Sequence, residues 1–133
     1  MNPFEKARAR RIVIVTLQLL IALVLVVGPG RTWPGTARAV YASYFADLVL
    51  PFGEYFLLYL VAADVSGLKH WSARCAVAFA LPTLAECGQG LGVPILGATF
   101  DPVDIIMYAL GVGAAVAFDL LVLPRLFAFW RAE

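Results

Sequence analysis

Residues 42–63 read ASYFADLVLPFGEYFLLYLVAA. A helix of that length spans about 33 Å at 1.5 Å per residue, enough to cross a hydrocarbon core of about 30 Å. The stretch therefore predicts a membrane helix, with Tyr41 and Tyr44 suited to one interface. It also carries Asp47, Pro51 and Glu54 inside the apolar run, which a simple anchor does not need. An ionisable group at the bilayer centre costs roughly 2.5–3.5 kcal/mol on insertion scales, so these carboxylates are expected to face protein or water rather than lipid.

Working outward, three further apolar segments fill most of the chain. Residues 12–28 follow the basic residues Lys6, Arg8, Arg10 and Arg11 and stop at Gly28-Pro29-Gly30; residues 71–89 begin at Trp71 and contain Pro82; residues 104–123 are closed by Pro124, Arg125 and a belt of Phe127, Phe129 and Trp130. Of 133 residues, 62% are hydrophobic and 14% charged, with a mean hydropathy of +0.88, whereas an ordinary soluble domain is about 25% charged. The expected fold class is all-α, an integral membrane four-helix bundle in one membrane domain over residues 1–133, with spans at about 12–28, 42–63, 71–89 and 104–123. Ala37-Arg38-Ala39 fits a signal-peptidase pattern but lies too far past the first apolar run, so that run is expected to stay as a helix. No 20–50-residue repeat is visible.

Lys and Arg set the orientation. With a cytoplasmic N-terminus the inner side holds Lys6, Arg8, Arg10, Arg11, Lys69, Arg74, Arg125 and Arg131, and the outer side only Arg31 and Arg38. Both termini are then cytoplasmic, the 28–40 and 88–103 loops lie outside, and the 64–70 turn lies inside. In that frame Asp47, Glu54, Glu86, Asp101 and Asp104, five of nine acidic residues, converge on the outer half.

Helical spacing sharpens the convergence. Asp47 and Glu54 are seven apart, Glu86 and Gln89 three apart, and Asp104, Tyr108, Gly111 and Ala115 fall near one stripe, so each set shares a face. Gly111 with Ala115, and Gly113 with Ala117, form small-xxx-small faces that permit close helix approach. Pro51 and Pro82 each remove a mid-helix donor beside the acidic layer. Three readings of the layer stay open at this point. It is a polar scaffold paired with Arg31 and Arg38, an outward-facing pocket for a cationic or hydroxyl-rich ligand, or a divalent-cation site, which lacks calcium-loop spacing.

Other chemistry is disfavoured. His70 is the only histidine, so neither bis-histidine haem nor histidine-based zinc is expected, and no cofactor or metal is assigned. Ser43, Ser66 and Ser72 are expected to have no histidine beside them, no phosphate loop or nucleophile elbow occurs, and an enzyme is not the favoured class. Cys75 and Cys87 sit roughly 18 Å apart along one helix and are read as packing residues. Asp64 and Asp119 are assigned to capping or to pairing with Lys69, Arg74 or Arg125. A net charge of +1 gives no footprint for nucleic acid; the expected partners are membrane lipids, with other membrane subunits or a homo-oligomer as further candidates.

Asp47-Leu-Val-Leu-Pro-Phe-Gly-Glu-Tyr55, Glu86-x-x-Gln89, and Thr99-Phe-Asp101-Pro-x-Asp104 through Gly111 resemble, over residues 40–120, the motifs of VanZ-like membrane proteins or a sister group of small four-helix membrane proteins. Where that family usually has a basic residue after the first aspartate, a histidine, a loop arginine and a late asparagine, this chain holds Leu48, Pro51, Ala98 or Thr99, and Tyr108. The resemblance implies a multi-pass protein of the bacterial inner membrane acting at the outer leaflet or envelope, and it implies no reaction. Combined with the charge pattern, it gives an expected polar site of Asp47, Glu54, Glu86, Gln89, Asp101, Asp104 and Tyr108, with Arg31 and Arg38 as candidate ion-pair partners. The competing expectations are a structural accessory subunit of a larger membrane complex and, less favoured, proton-coupled transport through Glu54.

Overall fold

The computed structural model describes residues 1–93 and 99–130. Ala98, Arg131 and the 94–98 part of the second expected outer loop lie outside the described residues. Among those described, all regular structure is helical. Four long helices, α1 (Pro3–Val27), α2 (Gly35–Val61), α3 (Trp71–Gly90) and α4 (Pro102–Ala117), run in chain order. A π-helical turn (Phe118–Val122) joins α4 to the short α5 (Leu123–Leu126), and 3-10 turns follow α1, precede α3 and end the described chain.

Two helices start well before hydropathy predicts. Helix α1 begins at Pro3, because Asn2 caps it: Glu5 N donates to Asn2 Oδ1 at 2.8 Å, and Asn2 N donates back to Glu5 Oε2 at 2.8 Å. The basic residues before the apolar run are thus the first turns of the helix. It ends at Gly28, whose φ of 59° is left-handed and whose N–H reaches Val24 O, a C-cap that any side chain would strain. Helix α2 begins at Gly35, so the 28–40 loop is shorter than predicted and Arg38 and Tyr41 are helical.

Helix α3 spans Trp71–Gly90, close to the predicted 71–89. His70 is its N-cap, with Nδ1 accepting from Ser72 N at 3.3 Å and lying 2.6 Å from Ser72 Oγ. The expectation that no serine has a histidine beside it is therefore wrong for Ser72. The pair is exposed and two residues apart, which is capping geometry. Helix α4 starts at Pro102, two residues before the predicted 104: Asp101 is its N-cap, accepting from Val103 N at 2.9 Å, with Pro102 in its first turn. The π turn has a local cause. Pro124 lacks an N–H and its ring would crowd the carbonyl four residues back, at Leu120, so the ladder widens just before it.

Helix α2 is central, packing against α1, α3 and α4, and α3 also packs on α4. Its tightest approach is to α4 at Gly111, where an added Cβ would lie 2.1 Å from Leu48 O. Gly111 and Ala115 are buried in that seam, whereas Gly113 has nothing within 4 Å and Ala117 is exposed, so only the first small-residue face is used in packing. Tyr55, Phe56, Ala78, Val112 and Leu123 form the core, with Phe56 edge-on to Phe118 at 6.1 Å.

Helix α1 is peripheral, with Ile14 its single buried residue. Gln18 Nε2 ties it to α2 by donating to Gly53 O at 2.8 Å. The Gln18→Leu variant is expected to lose about 0.6 kcal/mol, and at most about 1.7, because interhelical hydrogen bonds in membranes contribute that much. Thermal unfolding in detergent micelles reads the difference, and a parental midpoint would show that the tie is idle.

Three helices are long and apolar enough to cross a membrane: Pro3–Thr32, Gly35–Val61 and Pro102–Leu126. Helix α3 is not among them, because Arg74, Glu86 and Gln89 dilute its apolar content. Large apolar residues such as Leu19, Val26, Leu84 and Ile106 are more than half exposed, a surface suited to lipid rather than water.

Candidate functional site

Polar side chains gather at opposite ends of the molecule. At the end where α3 finishes and α4 begins, Glu86, Asp101, Asp104 and Asp47 come together. Glu86 is 2% exposed and accepts from Asp101 N with one oxygen and from Tyr108 OH at 3.5 Å with the other. Its reach back to Asp101 N joins the end of α3 to the cap of α4. Asp101 uses Oδ1 for that cap and Oδ2 to accept from Tyr44 OH at 3.1 Å. The carboxyl groups of Asp47 and Asp104 come close to each other across the α2–α4 seam.

Glu54 lies about two helical turns beyond Asp47 on α2. With Asp47, Gln89 and Tyr108 it lines a cavity of about 750 Å³ between α2, α3 and α4, whose walls include Pro51 and Pro82. Both helices run on through these prolines, so they shape the cavity without breaking a helix. The expected polar site thus falls into two connected sets: Glu86, Asp101 and Asp104 in the rim network, and Gln89 with Glu54, the latter nearer the middle of the bundle, in the cavity wall, with Asp47 and Tyr108 in both.

The proposed cationic partners are not in this network. Among the described residues neither Arg31 nor Arg38 pairs with these carboxylates; Arg31 folds back to donate to Leu25 O at 3.3 Å. The cause is local: Arg31 sits in the 3-10 turn directly after the Gly28 cap, with its stem over that glycine, and Arg38 is on an exposed face of α2. The layer is held by tyrosine hydroxyls, a backbone N–H and a carboxyl–carboxyl contact instead.

At the other end lies a network that sequence patterning divides among separate roles. Arg74 and Asp119, each 4% exposed, form an ion pair at 3.1 Å. Asp119 also accepts from Tyr55 OH at 2.6 Å and from Trp130 Nε1 at 2.7 Å. Arg74 donates to Leu68 O and Lys69 O at 3.0 and 2.8 Å, and its guanidinium lies 4.4 Å from the Tyr59 ring centre. Of the partners expected for Asp119, Arg74 is the one it takes. Trp130, expected in an interfacial belt, is instead 4% exposed and packs on Tyr59 at 5.3 Å. The available signal was Arg74 and Asp119 standing at the same end of neighbouring apolar segments.

No protein-family profile, curated protein or solved structure matches this chain. Among the described residues no group of three or more His, Cys, Asp or Glu side chains is arranged to hold a metal ion. Cys75 and Cys87 are free thiols.

Proposed function

We propose that the chain is a multi-pass protein of the bacterial inner membrane, of VanZ-like type, in which all four long helices cross the bilayer with both termini cytoplasmic. Helix α3 would cross with its ionisable groups turned inward: Arg74 and Glu86 are both buried against other helices, which removes the cost that bars an exposed charge from lipid. The outward-facing site of Asp47, Glu54, Glu86, Gln89, Asp101, Asp104 and Tyr108 would bind, without catalysis, an envelope or lipid-linked component that presents cationic or hydroxyl groups.

The observation that carries this reading is the cavity between α2, α3 and α4, with Asp47 and Glu54 in its wall and, among the described residues, no arginine or lysine lining it. Two ionised carboxylates about 4 Å apart repel by about 4 kcal/mol at an effective dielectric of 20. A layer of four carboxyl groups without a basic side chain is completed most favourably by protons or by a positively charged or hydrogen-bond-donating ligand. Glu54, which makes no hydrogen bond to a described residue, is available to such a ligand.

Amide variants separate binding from folding. Asp104→Asn and Glu54→Gln are expected to leave membrane insertion and thermal midpoint near the parental values, yet to reproduce the envelope-stress sensitivity of a deletion strain. Reduced insertion or stability with no selective phenotype would make the layer a scaffold and would sink the binding proposal.

A further inference from the structure

The cavity between α2, α3 and α4 opens sideways. Its floor is Tyr108 of α4, 7% exposed, and its mouth is the gap between α2 and α3, edged by Leu50, Leu81 and Leu84, each more than half exposed. Those leucines belong to the apolar surface that suits lipid rather than water. The mouth therefore faces the hydrocarbon of a bilayer, whereas the rim network of Glu86, Asp101 and Asp104 lies where α3 stops and α4 begins. Within the cavity Asp47 and Glu54 stand about 10 Å apart along α2 at 1.5 Å per residue, so a polar wall runs inward from the rim past the exposed leucines. At about 750 Å³ the space lies within the range of roughly 300–1,000 Å³ that holds small ligands. Glu54, deepest of its carboxylates, makes no hydrogen bond to a described residue.

Resting on the binding role given to this site above, we propose that its ligand enters from the bilayer and is a lipid amine: an amphiphile with an alkyl chain, a primary ammonium group and no phosphate. The ammonium pairs with Glu54, and the chain lies along Leu50, Leu81 and Leu84 and out through the mouth. An ammonium beside a carboxylate makes a pair without net charge, and its remaining N–H donors are open to other polar atoms of the wall. A neutral alcohol offers one donor and leaves the carboxylate's charge uncompensated. A phosphate would need a cation, and among the described residues no arginine or lysine lines the cavity; beside Asp47 it would be repelled. A small water-soluble amine would satisfy Glu54 but leave the leucines unused, and each buried methylene contributes about fourfold in affinity.

The test uses the full chain in zwitterionic micelles with octadecylamine, octadecanol or butylamine added, and binding read by native mass spectrometry and by thermal midpoint. Octadecylamine is expected to bind and to raise the midpoint. Octadecanol is expected to bind about tenfold more weakly or worse, the usual effect of losing a charged hydrogen bond, and butylamine more weakly still. Glu54→Gln, which keeps size and removes the charge, is expected to weaken octadecylamine by about tenfold or more. Leu84→Trp narrows the mouth from an exposed position and is expected to weaken octadecylamine while the unliganded midpoint stays parental. Asp64→Asn, exposed and outside the cavity, is expected to leave binding unchanged. Butylamine matching octadecylamine, with both lost in Glu54→Gln, would overturn the lipid route and leave the binding role standing. Octadecanol matching octadecylamine with the same dependence would overturn the amine class alone. A dimer that excludes octadecylamine and that Leu84→Trp dissociates would assign the mouth to a second copy of the chain and overturn the lipid. Binding of no probe, or binding unmoved by Glu54→Gln, would overturn the site together with the binding role.

Discussion

The Asp119→Ala variant is expected to lose about 3–5 kcal/mol of stability, the cost typical of removing one partner from a buried ion pair. The magnitude follows from what the carboxylate holds. Without it the Arg74 guanidinium, 4% exposed, keeps only Leu68 O, Lys69 O and Tyr55 OH, and its charge has no counter-ion. Tyr55 OH and Trp130 Nε1 lose their acceptor at the same moment. Removing both charges together, as Arg74→Met with Asp119→Leu, is expected to recover much of the loss, because no uncompensated ion is left behind. Thermal and denaturant unfolding of the three variants in one detergent completes the cycle. A single variant as stable as its parent would mean that water reaches the site and substitutes for Asp119.

The second large effect is expected at Gly111. A Cβ there would stand 2.1 Å from Leu48 O, and a backbone carbonyl inside a helix cannot swing aside as a side chain would. Gly111→Ala must push α2 and α4 apart, at a cost of about 1–3 kcal/mol, the usual range for overpacking a well-packed seam. Asp47 and Asp104 face each other across the same two helices, so the separation should also disturb the acidic layer. The internal control is Gly113→Ala. With nothing within 4 Å, it is expected to be neutral or to gain up to about 1 kcal/mol from improved helix propensity. Equal midpoints for the two alanine variants would refute the close approach.

Much of the helical layout was legible because apolar runs of membrane-crossing length have few alternatives. The 71–89 segment was read to within a residue of α3, and the 104 start to within two residues of α4. The starts of α1 and α2 were missed because their first turns are polar or small and carry no hydropathy signal; only the Asn2–Glu5 capping pair marked one of them. The gathering of Asp47, Glu86, Asp101 and Asp104 was readable from spacing and an antiparallel order of helices. Their lack of an arginine partner was not, since it depends on Arg31 turning back over the Gly28 cap. The Arg74–Asp119 network was harder still. Each member has an ordinary explanation alone, a rim charge or an interface aromatic, and only packing α2, α3 and the end of α4 together puts Tyr55 and Trp130 on one carboxylate.

The separation of cations at one end from carboxylates at the other makes the molecule an electrical dipole along its long axis, although its net charge is only +1. A bilayer under voltage acts on each charge with about 2.3 kcal/mol per 100 mV for a full crossing. In an energised membrane whose interior is negative, the proposed orientation sets both poles with the field, and inversion would drive several charges of each sign against it. The membrane potential would then help to keep the protein the right way round, and, acting on an outer layer reached from the positive side, it would draw protons or cations toward the carboxylates. Occupancy of that layer should consequently respond to the energy state of the cell.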